Sequence, residues 1–172
     1  AHEQRGTPAM AENWLRGYLQ RASSQRLAWT RLVQNLHNRE LLQREADTWP
    51  QFAGRHQLTI TERMSWAEVL WNLYQPEQAW QVLDVAPLDQ LSPDYWRLRA
   101  ALAWELERDD AVLASYEALL AQGAVLLQSE QAQLVDMYRQ RDPALALRIQ
   151  VANWRRTGDT RYLTDALQLA EE

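Results

Sequence analysis

The strongest constraint on this chain is a recurrence. Residues of like character return every 33 or 34 positions through most of its length. The pattern is plainest from Thr61 to Ala86, TERMSWAEVLWNLYQPEQAWQVLDVA. Trp66, Ala67, Leu70 and Leu73 recur at steps of three and four, which puts them on one face of a helix. After Gln75-Pro76 the pattern repeats with Ala79, Val82, Leu83 and Ala86. Pro76 suits a first helical turn, where its missing N–H has no partner to lose. Neither helix can bury its apolar face alone, so each hairpin demands a neighbour.

The neighbours are found by stepping. From Ala79, 33 residues back is Ala46, 33 forward is Val112 and a further 34 is Ala146, all small or β-branched and early in a second helix. Leu83 steps to Tyr116 and Ala86 to Leu119; in the first helices Ala67 steps to Ala100 and Leu134, and Leu70 to Ala103 and Met137. Helix–turn–helix units at this period stack into solenoids.

Taken in order, Thr7-Pro8 caps a helix over Ala9 to Ala22, with Trp14, Leu15, Tyr18 and Leu19 inward. Ser23-Ser24 caps the next, Gln25 to His37, with Leu27, Ala28, Leu32, Val33 and Leu36 inward. A third helix starts at Asn38 and runs through Leu41, Leu42, Ala46 and Trp49 until Pro50 bends or ends it. Gln51 to Thr59, with Gly54, is a looser connection, either a hinge or a longer turn. Beyond the central pair, Val85-Ala86-Pro87 ends a helix and Ser92-Pro93-Asp94 begins one over Asp94 to Glu107. Asp110 to Gln122 follows, with Gly123 placed as a left-handed cap. Gln128 to Gln140 and Pro143 to Arg155 form another pair, and after the turn Thr157-Gly158-Asp159-Thr160 a last helix runs from Arg161 to Glu172. The expectation is an all-α fold of ten helices, four full repeats flanked by half repeats, in one domain over residues 1–172, with 1–8 a disordered or boundary segment. Leu58-Thr59-Ile60-Thr61 alternates but is too short and isolated for a sheet. The chain reads as a piece of something longer.

The array resembles the tetratricopeptide repeat family, most clearly at Trp66-Ala67, Leu70, Ala79 and Ala86, which match the family's first-helix and second-helix positions. It departs from the pattern at Arg99, where a Leu is expected, and at Arg108-Asp109, where the turn is one residue short. The resemblance implies a right-handed superhelical solenoid that binds other proteins. A finer similarity rests on overall character: a degenerate array rich in Trp, Gln and Arg, without Cys or Lys, ending DALQLAEE, is similar to the periplasmic repeat scaffolds of Pel-type bacterial exopolysaccharide exporters. That similarity implies a scaffold joined to an outer-membrane β-barrel, recruiting a polymer-modifying enzyme and guiding polymer to the pore. A direct polysaccharide-binding module and a cytoplasmic regulatory or chaperone-type adaptor are the alternatives.

Composition narrows the chemistry. At 172 residues, 47% hydrophobic and 24% charged with 5 Gly, the chain is globular and helix-prone, and no apolar run is long enough for a membrane span. A net charge of −5 argues against nucleic acid as the main partner, since phosphate binding asks for a basic footprint. Without cysteine there is neither a disulfide frame nor a thiolate metal site. His2, His37 and His56 are far apart, and no metalloprotease, nucleophilic-triad or phosphate-loop spacing occurs, so no catalytic, metal or cofactor residues are expected. The acid pairs Glu105/Glu107 and Asp109/Asp110 read as solvated turns, and His37 as a charge suited to a helix C-terminus.

The candidate site is the inner surface formed by the first helices, the part such arrays use for binding. Trp71 steps to Trp104 and Tyr138, an aromatic stripe. The next columns are Glu68, Ala101 and Val135, then Asn72, Glu105 and Arg139; one turn earlier come Arg31, Met64, Arg97 and Gln131. Trp, Tyr and Arg dominate protein-binding energetics, and the same mixture stacks on sugar rings. The aromatics equally suit an inter-helix core. Arg139, Arg141, Arg148, Arg155, Arg156 and Arg161 thicken toward the end, either a solvated face or a patch for an acidic partner. A cationic saccharide would instead favour Glu68, Glu105 and Glu107.

Overall fold

The computed structural model describes residues 6–84 and 91–171. They form ten helices and, among the described residues, no strand: α1 Pro8–Arg21, α2 Arg26–Asn38, α3 Leu42–Ala53, α4 Ile60–Asn72, α5 Pro76–Leu83, α6 Pro93–Glu105, α7 Asp109–Ala121, α8 Gln128–Arg141, α9 Pro143–Thr157 and α10 Thr160–Glu171. The expected closure of α5 at Val85-Ala86-Pro87 lies outside the described residues, as do His2 and the start of the 1–8 segment. Two compact units divide the chain, residues 1–91 with α1 to α5 and residues 92–172 with α6 to α10. In each, a helix packs chiefly on its neighbours in sequence.

The recurring columns are the buried ones. Ala46, Ala79, Val112 and Ala146 are all buried, three of them completely. So are Ala67, Ala100 and Leu134, and Leu70, Ala103 and Met137. Small residues at these positions let the two helices of a hairpin approach closely, and the larger ones on either side fill the seam. In the first unit Leu15, Trp29, Leu32, Leu36, Trp49 and Phe52 share one core, with Phe52 stacked between Trp29 and Trp49 at ring separations of 5.9 and 5.8 Å. The second unit gathers Val135, Ala146 and Leu169 into a smaller cluster on which Tyr138 packs.

Three hairpin corners share one conformation. Glu40, Tyr74 and Glu107 follow α2, α4 and α6 with φ of 54°, 60° and 54°. At each, the next residue's N–H reaches back five residues: Leu41 to the Leu36 carbonyl at 3.1 Å, Gln75 to Leu70 at 2.9 Å and Arg108 to Ala103 at 2.8 Å. These are Schellman motifs, which satisfy the last helical carbonyls by left-handed geometry. Gly123, at φ 75°, closes α7 in the same way, as expected from the sequence. The α8–α9 corner is built differently: α8 runs to Arg141, and Asp142 caps α9 by accepting from the Leu145 N–H at 3.1 Å.

Several local expectations are corrected. Asn38 is the last residue of α2, because the left-handed corner at Glu40 delays α3 to Leu42. Pro50 does not end α3, which continues to Ala53; in the last turn a proline removes one hydrogen bond, and burial of Trp49 and Phe52 on the same face holds the turn. Ser23-Ser24 does not cap α2, whose N-cap is Gln25; the Ser23 carbonyl instead accepts from Trp29 Nε1 at 2.8 Å. Trp14 and Leu27 are exposed, not inward. Trp14 lies on Tyr18 with ring centroids 5.3 Å apart.

Candidate functional site

In each unit the first helices of consecutive repeats are tied by the same clamp. Thr59 and Glu62 form a capping box at the start of α4: the Glu62 N–H donates to Thr59 Oγ1 at 3.2 Å, and Glu62 Oε2 accepts from the Thr59 N–H at 2.8 Å. Arg26, at the start of α2, donates to that same Glu62 carboxylate and to the Gln57 carbonyl at 2.8 Å. In the second unit Glu130 holds the equivalent position in α8 and accepts from the Leu127 N–H at 2.7 Å. Leu127 has no side-chain acceptor, so only half the box forms. Arg97 of α6 donates to Glu130 Oε1 at 3.0 Å and to the Val125 carbonyl at 3.0 Å. Arginine suits this job because its fork serves a carboxylate and a carbonyl together.

The clamp reassigns one expected binding residue. Arg97 is engaged in holding α8, and its neighbour in the same column, Gln131, donates to the Leu126 carbonyl at 2.9 Å. Arg31 remains exposed on α2 and Met64 half-buried on α4. Glu68 and Asn72 are exposed, while Trp71 is half-buried. On α6, Trp104 and Glu105 are exposed, Trp104 to 46%. Tyr138 is half-buried on the α8 cluster, its hydroxyl donating to Glu117 Oε1 of α7 at 2.8 Å. Burial, then the Glu117 carboxylate, push that hydroxyl up to about 12. Arg139 is half-buried, and its Nε has no hydrogen-bond partner. The stripe thus divides by environment: Trp104 is available to a partner, and Tyr138 serves packing.

Between α2 and α4, over α3, lies a cleft of about 290 Å³ lined among others by Gln34, His37, Glu45, Trp49, Glu62 and Ser65. None of these lies in the repeating first-helix columns. A repeat register finds equivalent positions, but each residue turns a helix by 100°, so which column faces the cleft depends on packing. Glu45 is buried here, 3.2 Å from His37 Nδ1. Burial raises its carboxyl above the ordinary range despite His37.

A second buried carboxylate, Glu12 of α1, collects three arginines: Arg16 at 3.0 Å, Arg39 at 2.5 Å and Arg44 at 3.4 Å. Burial opposes its charge, but hydrogen bonds from Arg16 and Arg39 outweigh that and hold it below the usual range. Arg99, which departs from the repeat pattern, donates to the Ala111 carbonyl at 3.1 Å and Ser115 Oγ at 3.0 Å, and lies over Trp96. It pins α6 to α7. Among the described residues no cluster of His, Asp and Glu has the make-up of a metal site, and no helix is long and apolar enough to cross a membrane.

A family model described as a tetratricopeptide repeat matches residues 51–172. Among solved structures, YrrB, described as a TPR protein with an unusual peptide-binding site, is similar at 15% identity and a TM-score of 0.66, over 99% of this chain and 87% of its own. The MamA protein is similar at 12% identity and a TM-score of 0.65, over 99% and 86%. The pilF product of Pseudomonas aeruginosa is similar at 18% and 0.57, over 99% and 78%. No curated protein sequence matches the chain.

Proposed function

Because the chain belongs to the tetratricopeptide repeat family, a family of protein-interaction scaffolds, we propose that it is a non-enzymatic scaffold in the periplasmic part of a Pel-type exopolysaccharide export complex. In this reading it recruits a polymer-modifying enzyme near the outer-membrane pore, through first-helix residues that stay accessible: Arg31, Glu68 and Asn72 in the first unit, Trp104 and Glu105 in the second. The observation that carries the binding role is that this family's helix pairs are present with such residues left exposed on the first helices. The exporter and the periplasm are supported by sequence character alone: Trp, Gln and Arg in abundance, no Lys, no Cys.

A direct glycan-binding role is the second reading, favoured by Trp104 standing exposed beside Glu105, an aromatic platform next to an acid that would suit a cationic sugar. Titrating the chain with polymer and with candidate modifying enzymes, followed by Trp fluorescence, separates the two. Saturable binding to an enzyme is the expected result; binding to polymer alone sinks the scaffold reading. The complete gene supplies an independent check, since a secretion signal upstream and a run of alternating strands downstream are expected. A coding sequence with neither favours the cytoplasmic adaptor.

A further inference from the structure

The second unit carries a cleft where the end of α7 and the α7–α8 connection meet the first turns of α8 and the second half of α9; of the first-helix candidates discussed above, Gln131 lines it. About 310 Å³ in volume, it is walled by Leu120, Val125, Leu126, Leu134, Ile149 and Asn153. Its lips are apolar and open: Leu120 is 49% exposed and Val125 72%. The first unit has a cleft at the equivalent place, since Leu19, Ser23, Trp29, Leu32 and Gln51 recur 101 or 102 residues later as Leu120, Ala124, Gln131, Leu134 and Ala152. There the indole of Trp29 and the side chains of Gln20, Gln51 and Arg55 line the walls. In the second unit Ala121 and Ala152 stand where Gln20 and Gln51 do, while Arg156 keeps the place of Arg55, and the walls become largely aliphatic.

Beside this cleft the outer face of α9 presents Arg148, Arg155 and Arg156 around Leu147 and Val151, in a shallow depression contiguous with the cleft through Ala152 and Arg156. The three arginines are exposed and have no ion-pair or hydrogen-bond partner among the described residues. Most other arginines of this unit are engaged: Arg97 with Glu130, Arg99 with Ser115, Arg141 with Asp110, Arg161 with Asp159. No carboxylate lines the cleft or the depression. In a chain of net charge −5, this is a local concentration of uncompensated positive charge against an open apolar slot.

We propose that this surface docks an acidic peptide segment of a partner protein, one that seats an apolar side chain in the cleft and lays carboxylates on Arg148, Arg155 and Arg156. Charge complementarity selects acids, because guanidinium forks match carboxylate geometry two bonds at a time. The aliphatic slot selects an apolar anchor, the usual source of affinity at a contact of this size. Trp104 and Glu105 do not line this surface, so a scaffold could hold two partners at once.

The test is fluorescence anisotropy of the 172-residue chain with labelled twelve-residue peptides in which Leu and Phe are interspersed with Glu, with Gln, or with Arg. Alginate and anionic phosphatidylglycerol vesicles are run in parallel. The Glu peptide is expected to bind, the Gln peptide to bind at least several-fold more weakly, and the Arg peptide not at all. Added salt is expected to weaken the Glu complex, since exposed charges are screened within about 10 Å at 0.1 M. Arg148→Glu/Arg155→Glu/Arg156→Glu is expected to lower affinity about tenfold or more, three lost surface pairs compounded by repulsion, with unchanged circular dichroism. Val125→Asp tests the slot and lowers affinity several-fold, whereas Arg21→Glu on α1 leaves it unchanged. Equal binding of the Glu and Gln peptides, no loss in the triple variant, or binding to alginate or vesicles but to no peptide would each overturn the proposal.

Discussion

Arg97 Nε and Glu130 Oε1 meet at 3.0 Å across α6 and α8, two helices with the whole of α7 between them in sequence. Because Glu130 is nearly buried and also caps α8 through the Leu127 N–H, replacing it leaves a charged guanidinium and an N–H short of an acceptor. Glu130→Gln is expected to cost about 1–3 kcal/mol in urea denaturation, the range for hydrogen bonds to charged groups. Glu62→Gln, its counterpart in the first unit, is expected to cost a similar amount. No loss in either variant would mean the clamp is incidental to the fold.

Glu12 and Glu45 give opposite pH signatures. Glu12 ionises more readily folded than unfolded, so its contribution is present above the ordinary carboxyl value of 4.5 and is lost as pH falls through its lower folded value. Glu45 is held protonated above that value; its contribution is full below 4.5 and is lost as pH rises through the folded value. Equilibrium unfolding as a function of pH checks both. Glu12→Gln is expected to flatten the acid limb and cost about 2 kcal/mol at neutral pH, where three arginines lose their common carboxylate. Glu45→Gln is expected to cost less there than Glu12→Gln.

Tyr74 holds a left-handed conformation while 94% exposed, so it bears the steric cost of that conformation with little packing in return. Tyr74→Gly is expected to raise stability by about 1 kcal/mol, the penalty for an L-residue in this region less the entropy glycine adds to the unfolded chain. Gly123→Ala and Gly158→Ala, at φ 75° and 71°, are expected to lower it by about as much. Unchanged melting temperatures in all three would contradict the corner geometry.

Trp104 and Tyr138 separate recognition from packing. Trp104→Ala is expected to weaken partner binding while leaving stability within about 0.5 kcal/mol, as surface substitutions do. Tyr138→Phe is expected to leave binding alone and cost about 1 kcal/mol through the lost Glu117 bond. With its hydroxyl raised to about 12, Tyr138 also contributes stability that declines as pH rises from about 10 toward that value. Spectrophotometric titration of the wild type against Tyr138→Phe reads the late-ionising phenol.

The hairpins were legible because small residues such as Ala79 and Val112 must recur wherever two helices come close, and that requirement is written at a fixed spacing. The clamp was half legible: Thr59-x-x-Glu62 is a recognisable capping box, but nothing local says that Arg26 will reach it. Glu12 was invisible, since a carboxylate on the buried face of α1 reads as an error until Arg39 and Arg44 arrive from 27 and 32 residues away. Pro50 misled because its cost depends on how many carbonyls lie behind it, which only the helix end decides. The column containing Arg97 and Gln131 reads as a groove from sequence because a repeat spacing carries no information on which way a helix is turned.

The left-handed corners at Glu40, Tyr74 and Glu107 have a kinetic consequence. Each closes its pair over about three residues, so the entropy of bringing two helices together is nearly the smallest a chain can incur. With contacts confined largely to successive helices, assembly starts from local collisions and is expected to be rapid, in the manner of low-contact-order chains. A defect at one corner should then slow the growth of its own hairpin and leave the nucleation of distant ones untouched.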